Sequence, residues 1–185
     1  AWSSADSTSL GHINFGANTS AFYQEQIELP FFNHFLKGQG ERKLPEAYVF
    51  ETGVNRWRKF EHWPPRETQS ATFHLSAKGT LSTQAPQDKE AFDSFVSDPN
   101  KPVPTSDRIA FGMAQAYMTD DMRYASSRPD VLTYQTGVLD KDLTLAGPMT
   151  AELHVSTTGT DSDWVVKVID VFPDGISADP AGDDW

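Results

Sequence analysis

The residue types that carry catalysis are thinly represented in this chain of 185 residues. It has no cysteine, which excludes thiolate nucleophiles, disulfides and cysteine-based zinc sites. It has no G-x-S-x-G stretch, the strained strand-to-helix turn that exposes a serine nucleophile in α/β-hydrolases. The histidines His12, His34, His62, His74 and His154 fall in neither H-E-x-x-H nor H-x-x-E-H spacing, so no zinc site is indicated. His12 lies in a loop and reads as a solvated histidine, not as a general base.

Two groups of carboxylates are candidates for chemistry. Asp161, Asp163 and Asp170, followed by Asp174-Gly175, offer oxygen ligands for Ca²⁺, but their spacing departs from the EF-hand loop. Turn carboxylates that accept backbone N–H bonds account for Asp161 and Asp163 equally well. Asp170 stands in an apolar run and is expected to pair with Arg128 or Lys167. Asp120-Asp121, with Asp179, Asp183 and Asp184, read as solvated surface charge, because nothing fixes two of them at the separation glycoside hydrolysis needs.

Apolar side chains offer two further candidates. Trp57, Phe60 and Trp63 surround a turn, either as a sugar-stacking platform or as ordinary packing. Phe111, Met113, Tyr117 and Met118 are large and adaptable, which suits the wall of an acyl pocket; the plainer reading is that they plug the β domain.

The elements that must position these residues follow from pattern. Asn18 or Thr19 can cap a helix in which Tyr23, Ile27, Phe31 and Phe35 recur every four residues. Pro30 should kink or split it, and Gly38 and Gly40 end it. Residues 43–45 read as a linker. Beyond it, short strands are expected at 47–51, 55–60, 72–76, 80–83, 131–136, 150–156 and 164–171, with turns at 53–55 and 78–79. Helical period is almost absent after Gly40, so the expected fold is mainly β: a jelly-roll-like antiparallel sandwich preceded by a loop and one kinked amphipathic helix.

Hydrophobic residues make up 38% and aromatics 12%, a globular composition. The formal net charge of −11, with no basic run, argues against nucleic acid or anionic membrane as partner. No stretch approaches the ~20 apolar residues of a membrane span. Residues 1–10 lack the basic start and apolar run of a signal peptide. The first residue is Ala1 and not Met, which suits an excised or processed piece.

Several motifs in order carry a resemblance across nearly the whole chain. They are Ile13-Asn14-Phe15-Gly16, Pro30-Phe31-Phe32, Phe35-Leu36-Lys37-Gly38, and Thr52-Gly53 followed by Asn55-Arg56-Trp57 and Trp63-Pro64. Further on come Phe95-Val96-Ser97-Asp98-Pro99, Pro102-Val103-Pro104, Arg128-Pro129-Asp130-Val131-Leu132 and Thr160-Asp161-Ser162-Asp163-Trp164. The chain resembles the C-terminal jelly-roll domain of the cocaine esterase, α-amino-acid ester hydrolase, glutaryl (cephalosporin) acylase and X-Pro dipeptidyl-peptidase group.

The resemblance implies a remnant of an α/β-hydrolase domain at residues 1–43 and a jelly-roll domain at 44–185, truncated at its C-terminus. Members of the group attack esters or amides with a Ser–His–Asp triad. By the spacing to Asn14-Phe15-Gly16, the triad His falls just before Ala1, so no catalytic residue is carried onto this chain. The implied partners are the hydrolase domain of the same parent and its ester, amide or peptide substrate, with a homo-oligomer possible and no cofactor or metal. The segment 108–124 resembles the loop that reaches back to the hydrolase pocket. The alternative is a stand-alone sandwich that binds carbohydrate or protein.

Overall fold

In the computed structural model, residues 7–41, 44–88, 91–109 and 115–173 are described. The described part opens with a hairpin absent from the expectation: β1 (Ser9–Leu10) pairs antiparallel with β2 (Ile13–Asn14). Its turn is Gly11-His12, with Gly11 at φ 56, the first-position glycine of a tight two-residue turn. Strands of two residues each are too short to show an alternating pattern, which is why the loop reading missed them.

Asn18 caps the helix, its Oδ1 accepting the Ala21 N–H at 2.9 Å. The helix runs as α1 (Thr19–Tyr23), a π turn (Gln24–Glu28) and α2 (Leu29–Lys37). Pro30 was expected to kink or split it. Instead the π turn lies directly before the proline, the Leu29 N–H bonding back to the Gln24 carbonyl, and Pro30 falls in the first turn of α2, where no N–H donor is required. Gly38, left-handed at φ 65, closes the helix, its N–H returning to the His34 carbonyl at 3.0 Å.

β3 (Ala47–Glu51) and β4 (Arg56–Phe60) form the best-developed ribbon, in register from Ala47 opposite Phe60 to Glu51 opposite Arg56. Alternation puts Tyr48, Phe50 and Trp57 on one face. Phe22 of α1 stacks on Trp57 at 4.7 Å and meets Tyr48 edge-on at 5.7 Å. On the other face Glu51 receives both Arg58 at 3.2 Å and Arg56 at 3.3 Å.

β5 (His74–Ser76) and β6 (Thr80–Ser82) make a third ribbon around a tight turn at Lys78-Gly79. Residues 131–136 were expected as a strand. They contribute a single parallel bridge, Thr80 with Gln135, held by Leu81 N–H to the Gln135 carbonyl and Gln135 N–H to the Gly79 carbonyl, both 2.9 Å.

The strands expected at 150–156 and 164–171 are not formed, and every residue from 148 to 173 is exposed. Their β-branched, alternating sequence is present, but no neighbouring strand accepts their backbone bonds, so the extended chain stays solvated. The described residues are thus mainly strand and loop with few helical turns, in three separate two-stranded ribbons.

No large apolar side chain is fully buried among them; only Ser20 and Pro65 are. The chain exposes 16086 Å², nearly twice the roughly 8,900 Å² expected of a folded monomer of its 20.5 kDa.

The approach of β6 to residue 133 is testable. A Cβ on Gly79 would meet the Thr133 carbonyl oxygen at 2.8 Å, and φ is +67. Gly79→Ala should cost about 1–3 kcal/mol through strain at this position. The expected sign is faster hydrogen exchange at Leu81 and Gln135, with the β3–β4 ribbon unaffected.

Candidate functional site

Of the four residues read as a pocket wall, Phe111 and Met113 lie outside the described residues. Tyr117 and Met118 sit on a single 3₁₀ turn, Gln115–Met118. Tyr117 is half-buried and Met118 is 66% exposed. Neither lines either of two shallow hollows among the described residues. One, of about 250 Å³, is lined by Phe31, His34, Phe35, Glu41 and Leu44. The other, about 320 Å³, is lined by Ser94, Phe95, Val96, Pro129 and Asp130.

The turn bearing Tyr117 and Met118 is anchored by a polar cluster that the pattern of the sequence did not disclose. Asp120, read there as solvated, has only 7% of its side chain exposed. Arg108 Nη2 donates to its Oδ1 at 3.0 Å, while Oδ2 is buried with no hydrogen-bond partner. An orphaned acceptor of this kind costs about 1–3 kcal/mol, so the 117–120 turn carries a polar strain. Tyr124 donates to the Thr105 carbonyl at 2.8 Å. Burial, then the charges of Asp107 and Asp120, push its hydroxyl pKa up. The neighbouring Asp121 accepts Arg123 Nε at 2.6 Å, and that bond holds its carboxyl below the usual range.

Short helix α3 (Arg123–Ser126) then leads to the strongest clamp in the chain. Arg128 grips Asp130 with both arms of its fork, Nε to Oδ1 at 2.8 Å and Nη2 to Oδ2 at 2.6 Å. Its Nη2 also reaches the Lys101 carbonyl at 3.2 Å, tying the long connection to the closing segment. The Arg128 bonds lower the Asp130 pKa.

Asp170 was expected to pair with Arg128 or Lys167. Arg128 is committed to Asp130, and Lys167 Nζ lies 3.6 Å from Met122 Sδ. A carboxylate two residues away needs no long-range folding to reach Arg128, so the local pair forms. Tyr134 adds a second tie, its hydroxyl donating to Asp93 Oδ2 at 2.5 Å. Burial first, and this bond second, raise its pKa to about 12.

The other candidates resolve simply. His12 is the second residue of the β1–β2 turn, and no hydrogen bond to its ring is seen among the described residues. Asp161 Oδ1 accepts the Ser162 N–H at 2.8 Å, a turn-capping bond. No group of three metal-ligating side chains occurs among the described residues, and no helix among them is long and apolar enough to cross a membrane. Trp57 is stacked against Phe22 and flanked by Tyr48 and Phe50, so its ring is packing and not an open platform.

A clamp, two tyrosine ties and a strained turn hold a loop in place. Residues 35–183 match the family described as the X-Pro dipeptidyl-peptidase C-terminal non-catalytic domain. The chain belongs to that family.

It is 32% identical over 156 residues to the cocaine esterase of Rhodococcus sp. (strain MB1 Bresler), covering 78% of this chain and 27% of that protein. Among solved structures it resembles an α-amino acid ester hydrolase with a TM-score of 0.66 at 33% identity, covering 77% of this chain and 25% of that one. An aminopeptidase from the marine sediment archaeon Thaumarchaeota archaeon gives a TM-score of 0.62 at 33% identity, covering 71% and 22%. The chain therefore spans about a quarter of the length of these relatives. The expected membership of this hydrolase group is met.

The Tyr134 tie has a defined pH response. A hydroxyl whose pKa is raised from 10.0 to about 12 on folding stabilises the fold fully below pH 10 and loses that contribution as pH rises through about 12. Tyrosinate absorbance should therefore show a group titrating near pH 12, alongside Tyr124, whose pKa is also raised. In Asp93→Asn the Tyr134 group should titrate earlier.

Proposed function

We propose that this chain is the accessory portion of a serine hydrolase that cleaves ester or amide bonds through an acyl-enzyme. Membership of a non-catalytic domain family, with esterases and an aminopeptidase as relatives, is the observation that carries this reading. The nucleophile, the triad Asp and the triad His belong to a preceding catalytic domain, with the His a few residues before Ala1. Residues 1–43 are the end of that domain, and residues 44–185 build a jelly-roll sandwich against it.

Exposed apolar side chains support this reading. They include Leu29, Phe32 and Leu36 of α2 together with Val165, Val166 and Val168. A hydrolase domain under the helix, with strand pairing completed beside 150–156 and 164–171, would cover them.

In that setting the turn bearing Tyr117 and Met118, with Phe111 and Met113 before it, borders the acyl pocket. The arrangement holds and shapes a pocket whose reacting groups come from elsewhere.

Two outcomes test this. The isolated chain should give no stoichiometric burst of acyl-enzyme with an activated ester; a burst would end the accessory reading. In the full-length protein, Tyr117→Ala should change the relative kcat/KM for small and bulky acyl groups by about tenfold, the discrimination that one or two pocket methylenes provide. An unchanged ratio would remove Tyr117 from the wall.

A further inference from the structure

A contact across 41 residues joins the β3–β4 ribbon to the N-terminal hairpin and the loop after it. Asn55 Nδ2 donates to the Asn14 carbonyl oxygen at 3.0 Å. Asn55 stands in the turn between β3 and β4 at φ 52, the left-handed region that favours glycine and, among residues with side chains, asparagine. Glycine would fit the backbone but bring no donor. Asparagine meets both demands.

The receiving loop is itself knitted tightly. Asn14 Oδ1 accepts the Gly16 N–H at 2.7 Å, and the Phe15 N–H returns to the Thr8 carbonyl at 2.7 Å. Ser7 Oγ meets the buried Ser20 hydroxyl at 2.5 Å, and the Ser7 carbonyl accepts Thr19 Oγ1 at 2.9 Å. The Phe15 ring meets Phe50 of β3 edge-on at 5.6 Å. The loop is thus one small rigid body with two attachments to the ribbon at its tip, one polar through Asn55 and one aromatic through Phe50.

We infer that the β3–β4 ribbon braces this loop, and that Asn55 is a positioning residue for the general base of the parent hydrolase. The inference rests on the reading under Proposed function that the triad His lies a few residues upstream of the loop. The non-catalytic domain would then act on the chemistry without touching substrate. It fixes the loop that leads out of the base, and a small misplacement of a base is expensive in rate.

The test uses the full-length protein and two substitutions. Asn55→Gly keeps the left-handed backbone and removes the donor. Asn55→Asp keeps the shape but turns an acceptor toward the Asn14 carbonyl. In both, exchange of the Phe15 and Gly16 N–H groups should accelerate. kcat should fall about three- to tenfold, the factor that one net hydrogen bond supplies, with KM little changed. The acid limb of the kcat/KM profile, which reports the base, should move. Lys78→Gly, at the other left-handed hairpin position, should leave all of these unaltered.

Unchanged exchange in both Asn55 variants would overturn the brace. Faster exchange with kcat and the acid limb unchanged would overturn the positioning role. If the unsubstituted full-length protein hydrolyses no ester or amide, the hydrolase reading fails separately, and the positioning role falls with it. The exchange result then decides whether Asn55 braces the loop.

Discussion

The stack of Phe22 on Trp57 is the joint on which the described structure turns. Two rings lie nearly parallel, 4.7 Å apart and 14° from coplanar, one on a helix and one on a strand. Around them Tyr48, Phe50 and Phe15 add edge-on contacts at 5.5–5.7 Å. Aromatic pairs of this kind contribute about 0.5–1.5 kcal/mol each beyond the area they bury. No other part of the described chain assembles as many. The N-terminal hairpin, the start of the helix and the β3–β4 ribbon are therefore joined through one aromatic cluster. Later segments are tied to one another more sparsely, by Arg128 to the Lys101 carbonyl, Tyr134 to Asp93 and the single bridge at Gln135.

This division explains which parts of the molecule were legible in the sequence. Asn18, Gly38 and the spacing of Tyr23, Ile27, Phe31 and Phe35 specify a helix through local rules alone, and its limits are where those rules put them. The same holds for β3, β4 and the turn at 53–55, since a hairpin carries its own partner. The segments 150–156 and 164–171 have the right alternation, but a strand exists only when another strand bonds to it. Sequence pattern marks a willingness to pair. It does not supply the mate.

The site was legible in a different proportion. The absence of a nucleophile elbow and of cysteine followed directly from residue order. Asp120 did not, because burial of one carboxylate next to another depends on Arg108, twelve positions away, and on the fold of the intervening loop. Asn55 was visible as a turn residue, but its donor bond to Asn14 is a long-range event with no local signature. The π turn was also hidden: Pro30 announces a disturbance, and the chain absorbs it one turn earlier by widening the helix.

That widened turn divides the helix into two bearings. Before it, Phe22 faces the ribbon. After it, Phe31, Phe32 and Phe35 make a separate aromatic group with large exposure. A helical residue advances about 100° around the axis, so one extra residue in a turn offsets the two faces by roughly that angle. The two halves answer to different neighbours. A substitution on one face therefore need not disturb the contacts of the other. The helix acts as a joint set at a fixed angle, and the two surfaces it presents are decoupled in what they can pack against.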